Sequence, residues 1–189
     1  MTSPLLYTYT PSPIGRLLLV GDELRLRGLY TPPASANPDA ARDARRADAP
    51  FVRVREQLEA YFAGERAEFD VSLDLDGATA FHRSVWQRLL EIPYGTTISY
   101  GALAAQIGKP TAARAVGAAN GRNPISIIVP CHRVIGSAGS LTGYAGGLDR
   151  KRYLLRHEAD VSGRTPSPHE SRPSREDVVE RAALAHDRE

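Results

Sequence analysis

The sequence predicts an α+β protein: a small antiparallel sheet with one helix, then a mostly helical second half. Two observations carry this. Short alternating apolar runs separated by turn residues fill the first thirty positions, and apolar residues then recur at helical spacing. A third observation points to chemistry: "IVPCHRVIG", Ile128 to Gly136, holds the only cysteine of the 189-residue chain.

The elements follow in order. "LLYTYT", "RLLLVG" and "LRLRGLY" are strand-like runs, and the intervening "PSPIG" and "GDE" have turn chemistry, so a hairpin or meander is expected. Residues 31–50, rich in Ala, Pro, Asp and Arg, have no apolar period and are expected to form a mobile surface loop. Phe51, Val54, Leu58 and Phe62 lie near helical spacing before Gly64. "AEFDVSLDLDG" alternates again and predicts a further strand. From about Ala78 the pattern changes. Phe81, Val85, Trp86, Leu89 and Leu90 mark a helix ending before Pro93, with Trp86 in the core. "TTISYGALAAQIG" predicts a helix capped by Thr97 or Ser99, and "TAARAVGAANGRN" a second one after a turn at Lys109-Pro110. Two short helices so joined have the outline of a helix-turn-helix. A last helix is expected over about 147–158, with Leu148, Tyr153, Leu154 and His157 on one face. The segments divide as 1–77, 78–160 and a tail, 161–189, too poor in apolar residues to hold a fold.

Composition narrows the class. With 42% hydrophobic and 24% charged residues, the chain reads as soluble and globular. No apolar run approaches the ~18 residues of a membrane span, and the N-terminus lacks a secretory pattern, so a cytoplasmic protein is expected. One cysteine excludes an internal disulfide and a Cys-rich zinc site. Lys and Arg number 9 against 12 acidic residues in 1–78, but 10 against 4 in 79–162, so the thiol sits in the basic segment. Such a segment suits a polyanion and favours a thiolate.

The second helix of the pair is nearly bare: Ala112, Ala113, Ala115, Gly117, Ala118 and Ala119 surround one large side chain, Arg114. Either it packs tightly on a neighbour, or it enters the narrow minor groove of DNA. A major-groove reader would show Asn, Gln or several Arg to the base edges.

A cysteine attacks only as thiolate, and an isolated thiol titrates near ~8.5. His132 follows Cys131, but adjacent side chains diverge, so a bridging water is the expected proton path. Glu158 has the character of a third member that orients His132. The plain alternative makes Cys131 a buried small hydrophobe and His132 a surface residue. Pro130 and the glycines at 136, 139, 143, 146 and 147 favour a shaped loop instead.

"PCHRVIG", with Asn123-Pro124 before it, "LTGYAGGLDRKRYLLRHE" after it, and "ISYG" and "KPTAARAVG" upstream, resembles the O6-alkylguanine-DNA alkyltransferases (methylated-DNA–protein-cysteine methyltransferases) from about Phe81 to Glu158. The resemblance implies a ribonuclease-H-like layout for the first half and a winged-helix-like second half containing the helix-turn-helix. It implies that Cys131 accepts an alkyl group from O6 of guanine in double-stranded DNA, once and irreversibly, with O4 of thymine as a further candidate. His132 would be the base through water, Glu158 its polarising partner, Asn123 the brace of the thiol turn, and Tyr100 the proton donor to guanine N3. Arg114 would fill the place of the flipped-out base while the bare helix lies in the minor groove. Backbone groups of Cys131 and Val134 would read the base; the backbone around Tyr144 and Ala145 would bind O6, with Gly146 in the pocket wall. Many relatives carry serine where this chain has Ala145, which bears on pocket width. The zinc of some relatives is unsupported, since the first half has no cysteine; no metal or other cofactor, and no membrane partner, is expected. Three rivals stand beside this: a lesion-binding relative without repair activity, which would lack the acceptor cysteine; a helix-turn-helix regulator; and a cysteine hydrolase, which would turn over repeatedly.

Overall fold

The protein is described by a computed structural model covering residues 4–32 and 41–164. The three expected N-terminal strands form as β1 (Leu6–Thr10), β2 (Leu17–Gly21) and β3 (Leu26–Tyr30), in an antiparallel meander. β2 is central and every residue in it is buried, whereas β1 alternates between buried and half-buried positions. Leu6, Leu17, Leu19, Leu26 and Leu29 share one apolar cluster with Val54, Leu58 and Tyr61 of α1 (Val52–Phe62). Gly64, at φ +78°, ends α1 in a Schellman turn: Gly64 N–H donates to the Tyr61 carbonyl and Glu65 N–H to that of Ala60.

Two expectations for this half need correction. The 31–50 segment is not loop throughout: Arg45–Arg46 forms β4, parallel to β1, giving the sheet order β3-β2-β1-β4. Arg45 N–H donates to Leu5 O (2.9 Å) and Ala47 N–H to Tyr7 O (3.0 Å), so this pairing runs through the backbone and leaves no apolar period. Residues 33–40 lie outside the described residues. The stretch read as a further strand, 67–77, makes a single bridge, Leu26 to Leu73, and no ladder. Two backbone hydrogen bonds, Leu26 N–H to Ser72 O and Asp74 N–H to Leu26 O, both 2.8 Å, hold it to β3, and charge adds to them: Asp74 pairs with Arg25 (3.3 Å) and Arg27 (2.8 Å), and Asp76 with Arg25 (3.1 Å). The far end of the same β3 edge takes a different partner. Leu29 N–H donates to Pro124 O and Ser126 N–H to Leu29 O, which fastens the segment leading to the cysteine onto the sheet.

The second half begins with α2 (Ala80–Leu90), capped by Thr79 through its hydroxyl and the His82 N–H. Val85, Trp86 and Leu89 are buried and Phe81 is half-buried, but Leu90, expected on the same face, is 45% exposed. One position beyond Leu89 turns a side chain about 100° around the helix and out of the core. A short strand, β5 (Ile98–Ser99), leads into α3 (Tyr100–Gln106), and Ser99 rather than Thr97 is the cap. α4 (Ala113–Gly121) completes the helix-turn-helix, and the Trp86 indole donates to the Ala119 carbonyl, fixing α2 on α4. After the thiol turn, β6 (Val134–Ile135) pairs in parallel with β5. Among the described residues this is the only ladder in the second half, and it does not form the antiparallel wing of the expected winged helix.

α5 (Leu148–Val161) ends three residues later than expected and turns another face inward. Its buried residues are Lys151, Leu154, Leu155, Glu158 and Ala159, while Leu148 is exposed. Two charged groups in a buried stripe are invisible to apolar periodicity; both find partners in the site. Residues 165–189 of the expected tail lie outside the described residues.

Candidate active site

The cysteine lies at the end of a tightly wound segment. Asn123, buried, holds that segment from both sides: its amide nitrogen donates to Val129 O (2.7 Å) and Ile125 O (3.4 Å), and its oxygen accepts from Ile125 N–H (3.0 Å). Within this brace Ile127 sits at φ +71°, a conformation a β-branched residue enters only under constraint, at a cost of roughly 1–3 kcal/mol. Ile127 is the central residue of one three-residue turn, closed by Ile128 N–H to Ser126 O, and a second follows, closed by Cys131 N–H to Val129 O, both 2.8 Å. Pro130 then opens the single 3-10 turn Cys131–Arg133. The strain is set where the thiol is presented, and it is not legible in the residue pattern, since isoleucine at positive φ has no compositional signature.

Beneath the turn lies a buried ionic cluster. His132 is fully buried and its Nε2 meets Glu158 Oε1 at 2.8 Å; its Nδ1 is buried and has no partner among the described residues. Glu158 Oε1 also accepts from Arg133 Nη2 (2.9 Å) and the Tyr61 hydroxyl (2.9 Å), and Oε2 accepts from Arg133 Nε (2.9 Å) and Gly95 N–H (3.1 Å). Arg133 is thus a two-pronged fork on the carboxylate, and its third nitrogen donates to Ile92 O. Burial opposes the Glu158 charge, but His132 and Arg133 overcome it and hold the carboxyl well below the usual range. Burial lowers the His132 pKa against the pull of Glu158, so the imidazole is neutral near pH 7. With a carboxylate accepting at Nε2, the ring proton is placed there and Nδ1 is left as a bare acceptor.

The thiol itself is 5% exposed, and burial pushes its pKa up; the Asn123 amide and the Lys151 cation pull it back in part. This corrects the expectation that the basic segment simply favours a thiolate: at rest, burial outweighs the local positive charge. Lys151 is the charge that acts on it. Fully buried, it donates to Val134 O (2.6 Å) and Thr142 O (2.8 Å), and burial brings its pKa down to about 8.

The other expected site residues divide between pocket and outer surface. The Tyr100 hydroxyl donates to Thr142 O (3.0 Å), with Gly143 O at 3.3 Å, in the loop facing the thiol turn. Val134 is buried, and Tyr144 is half-buried with its hydroxyl sealed in. Gly146 passes so close to the sheet that a Cβ there would lie 2.3 Å from Thr31 Oγ1, so only glycine fits. Ala145 is exposed. On α4, Arg114 and Ala115 are exposed, Ala112, Ala113 and Gly117 half-buried, and Val116, Ala119 and Asn120 face inward. A Cβ on Gly117 would rest 3.7 Å from the Tyr100 ring, which brings the bare helix against the pocket. Arg133, Lys151, Tyr61 and Asn120, which donates to Cys131 O at 3.2 Å, were missed from sequence. Only Arg133, two residues from the cysteine, carried a positional hint.

A lone cysteine at the end of a strained turn, next in sequence to a buried histidine–carboxylate pair, on two short helices tied to a small sheet, defines a two-part α+β protein with a thiol at its centre. The comparisons narrow that class. Residues 80–160 match the family model described as 6-O-methylguanine DNA methyltransferase, DNA binding domain, and residues 5–75 match that of its ribonuclease-like domain. The chain is 54% identical over 149 residues to a methylated-DNA–protein-cysteine methyltransferase of Mycolicibacterium paratuberculosis, covering 79% of this chain and 89% of that protein. A protein of the same name from Methanosarcina acetivorans is 51% identical over 152 residues, covering 80% and 97%. Among solved structures, Mycobacterium tuberculosis OGT in complex with DNA superposes with TM-score 0.77 at 51% identity, covering 82% of this chain and 94% of that one. The chain belongs to the methylated-DNA–protein-cysteine methyltransferase family.

Proposed function

We propose that this protein repairs DNA by direct reversal, moving an alkyl group from O6 of guanine in duplex DNA to the sulfur of Cys131 once per molecule. The observation that carries this is the buried His132, held at Nε2 by Glu158 with its Nδ1 unpartnered among the described residues, next in sequence to a cysteine on a strained turn. The thiol proton passes to Nδ1, through a water, and the imidazolium so formed lies against the Glu158 carboxylate. The sulfur then displaces the base: the S–C bond forms as the C–O6 bond breaks, and the electron pair leaves on the purine. Tyr100 gives its hydroxyl proton to N3 of the leaving base. The product thioether offers no route back, so the protein is consumed.

The guanine reaches the thiol only outside the base stack. The small residues Ala112, Ala113, Ala115 and Gly117 let α4 lie in the minor groove, and the exposed Arg114 occupies the vacated place. Asn123 keeps the turn wound. Backbone groups of Cys131 and Val134 face the edge of the base, and those of Tyr144, Ala145 and Gly146 face O6. In this reading 78–160 is the DNA-binding and acceptor domain, and 1–77 supports it through Tyr61 and β3. Among the described residues no helix is long and apolar enough to cross a membrane. A single reduced thiol suits the cytoplasm.

The test is incubation with duplex DNA containing O6-methylguanine labelled in the methyl group. One label per chain, found on Cys131 by peptide mass spectrometry, is expected. Repeated turnover, as a hydrolase would give, or no transfer would contradict the proposal.

A further inference from the structure

Asn120 has no place in the steps above, yet it stands between the thiol turn and Tyr100. It lies on the inner side of α4, 1% exposed, and its Nδ2 donates to the backbone carbonyl of Cys131 at 3.2 Å. That carbonyl also takes the Val134 N–H, so the contact helps to close the turn. It tells the amide nitrogen from the oxygen as well, because the reverse placement would set two acceptors against each other. An amide nitrogen carries two hydrogens, and the Cys131 carbonyl takes only one of them. The other side of the contact is Tyr100. Three positions before Asn120, on the same face of α4, a Cβ on Gly117 would rest 3.7 Å from the Cδ1 and Cε1 atoms of the Tyr100 ring. Burial raises the Tyr100 pKa, and hydrogen bonds with Thr142 and with the Asn120 side chain draw it back in part. The hydroxyl proton is aimed at Thr142 O (3.0 Å) and Gly143 O (3.3 Å). Both are acceptors, so neither can hold the phenol oxygen once its proton has gone. A donor is required there, and the second Asn120 hydrogen is one. Packing alone does not account for the amide: its Oδ1 is buried without a partner among the described residues, a cost that an apolar side chain of the same shape avoids.

We propose that Asn120 is a positioning residue that holds the Tyr100 oxygen with its second amide hydrogen while Tyr100 gives its proton to N3 of the leaving guanine. This rests on the alkyl transfer proposed above. As the S–C bond forms and the C–O6 bond breaks, the Tyr100 proton moves to N3 and the phenolate keeps the O–H electron pair. The Asn120 hydrogen bond meets that charge until water returns the proton. The test uses two duplexes, one holding O6-methylguanine and the other O6-methyl-3-deazaguanine, whose C–H at position 3 accepts no proton. Single-turnover transfer rates are compared for wild type, Asn120→Leu and Asn120→Met. Wild type is expected to react faster with methylguanine. In each variant the ratio of the two rates is expected to fall about threefold to tenfold, the worth of one hydrogen bond. A partly unfolded preparation, or a displaced thiol turn, slows both reactions alike and leaves the ratio as it was. A wild-type ratio near one, or an unchanged ratio in either variant, overturns the inference. Proton NMR gives a reading that needs no change at Asn120. In Tyr100→Phe, which keeps the ring and removes the oxygen, one of the two Asn120 side-chain amide protons is expected to shift upfield; two unmoved resonances overturn the inference. Absence of transfer by wild type from methylguanine is a different failure, that of the proposed reaction itself, and removes the inference with it.

Discussion

Two clusters of arginine and carboxylate in this molecule have similar membership and opposite settings. At the rim of the sheet, Arg25 and Arg27 meet Asp22, Asp74 and Asp76, with both arginine side chains about two-fifths exposed. Below the thiol, Arg133 and His132 meet Glu158, all but sealed from solvent. In the first, the arginines stand in water, which competes for them and screens their charge, and two backbone hydrogen bonds to Leu26 already fasten the same segment to β3. In the second, each charge is tolerable only because its partners are in place, and the carboxylate has a task that depends on where its donors sit. Position, not composition, decides what the same groups do.

The largest effect comes from deleting what the inner cluster serves while leaving the cluster intact. Cys131→Ser is expected to abolish methyl transfer and retain DNA binding, read by labelled-duplex transfer beside a gel-shift titration; retained transfer would contradict the assignment. Removing a member comes next. Arg133→Met leaves Glu158 without its fork and is expected to cost about 3–5 kcal/mol in urea unfolding, the usual consequence of breaking a buried pair. Arg114 belongs to neither cluster and stands exposed on α4. Arg114→Ala is expected to slow transfer from duplex DNA more than reaction with free O6-benzylguanine, and equal losses would remove it from base flipping. At the rim, Arg27→Ala is expected to change stability by only about 0–1 kcal/mol, less still in high salt.

Acid separates the two clusters as well. Burial depresses the folded-state His132 pKa below its ordinary 6.5, so the unfolded chain takes up that proton first and stability falls as pH drops below about 6.5. The depressed Glu158 adds a second loss below its ordinary 4.5, where the unfolded carboxyl protonates and the folded one does not. Urea midpoints measured from pH 7 to pH 3 should show both limbs, and Glu158→Gln should lack the lower one. Because the folded imidazole resists protonation, the rate of transfer should hold below pH 6.5 before it falls.

What could be read from sequence follows from what leaves a local trace. β1 to β3, α1, α2 and the helix-turn-helix show themselves because apolar residues mark the buried side at a fixed period. Cys131, His132 and Glu158 were legible through residue type and through the family resemblance. The rest lay in long-range or backbone contacts. Tyr61 meets Glu158 across 97 positions of chain. β4 pairs through its backbone alone, and the inward faces of α4 and α5 carry Asn120, Lys151 and Glu158, which periodicity assigns to solvent. Buried polar groups are recognisable only once their partners are known.

The role given to His132 requires that the inner cluster keep it neutral, with its proton on Nε2 and Nδ1 bare. Nitrogen-15 NMR of the histidine ring at pH 7, assigned with a His132→Gln variant, reads this directly. One protonated nitrogen, Nε2, and one bare nitrogen, Nδ1, are expected. A proton on Nδ1 of the neutral ring, or a doubly protonated imidazolium, would contradict it.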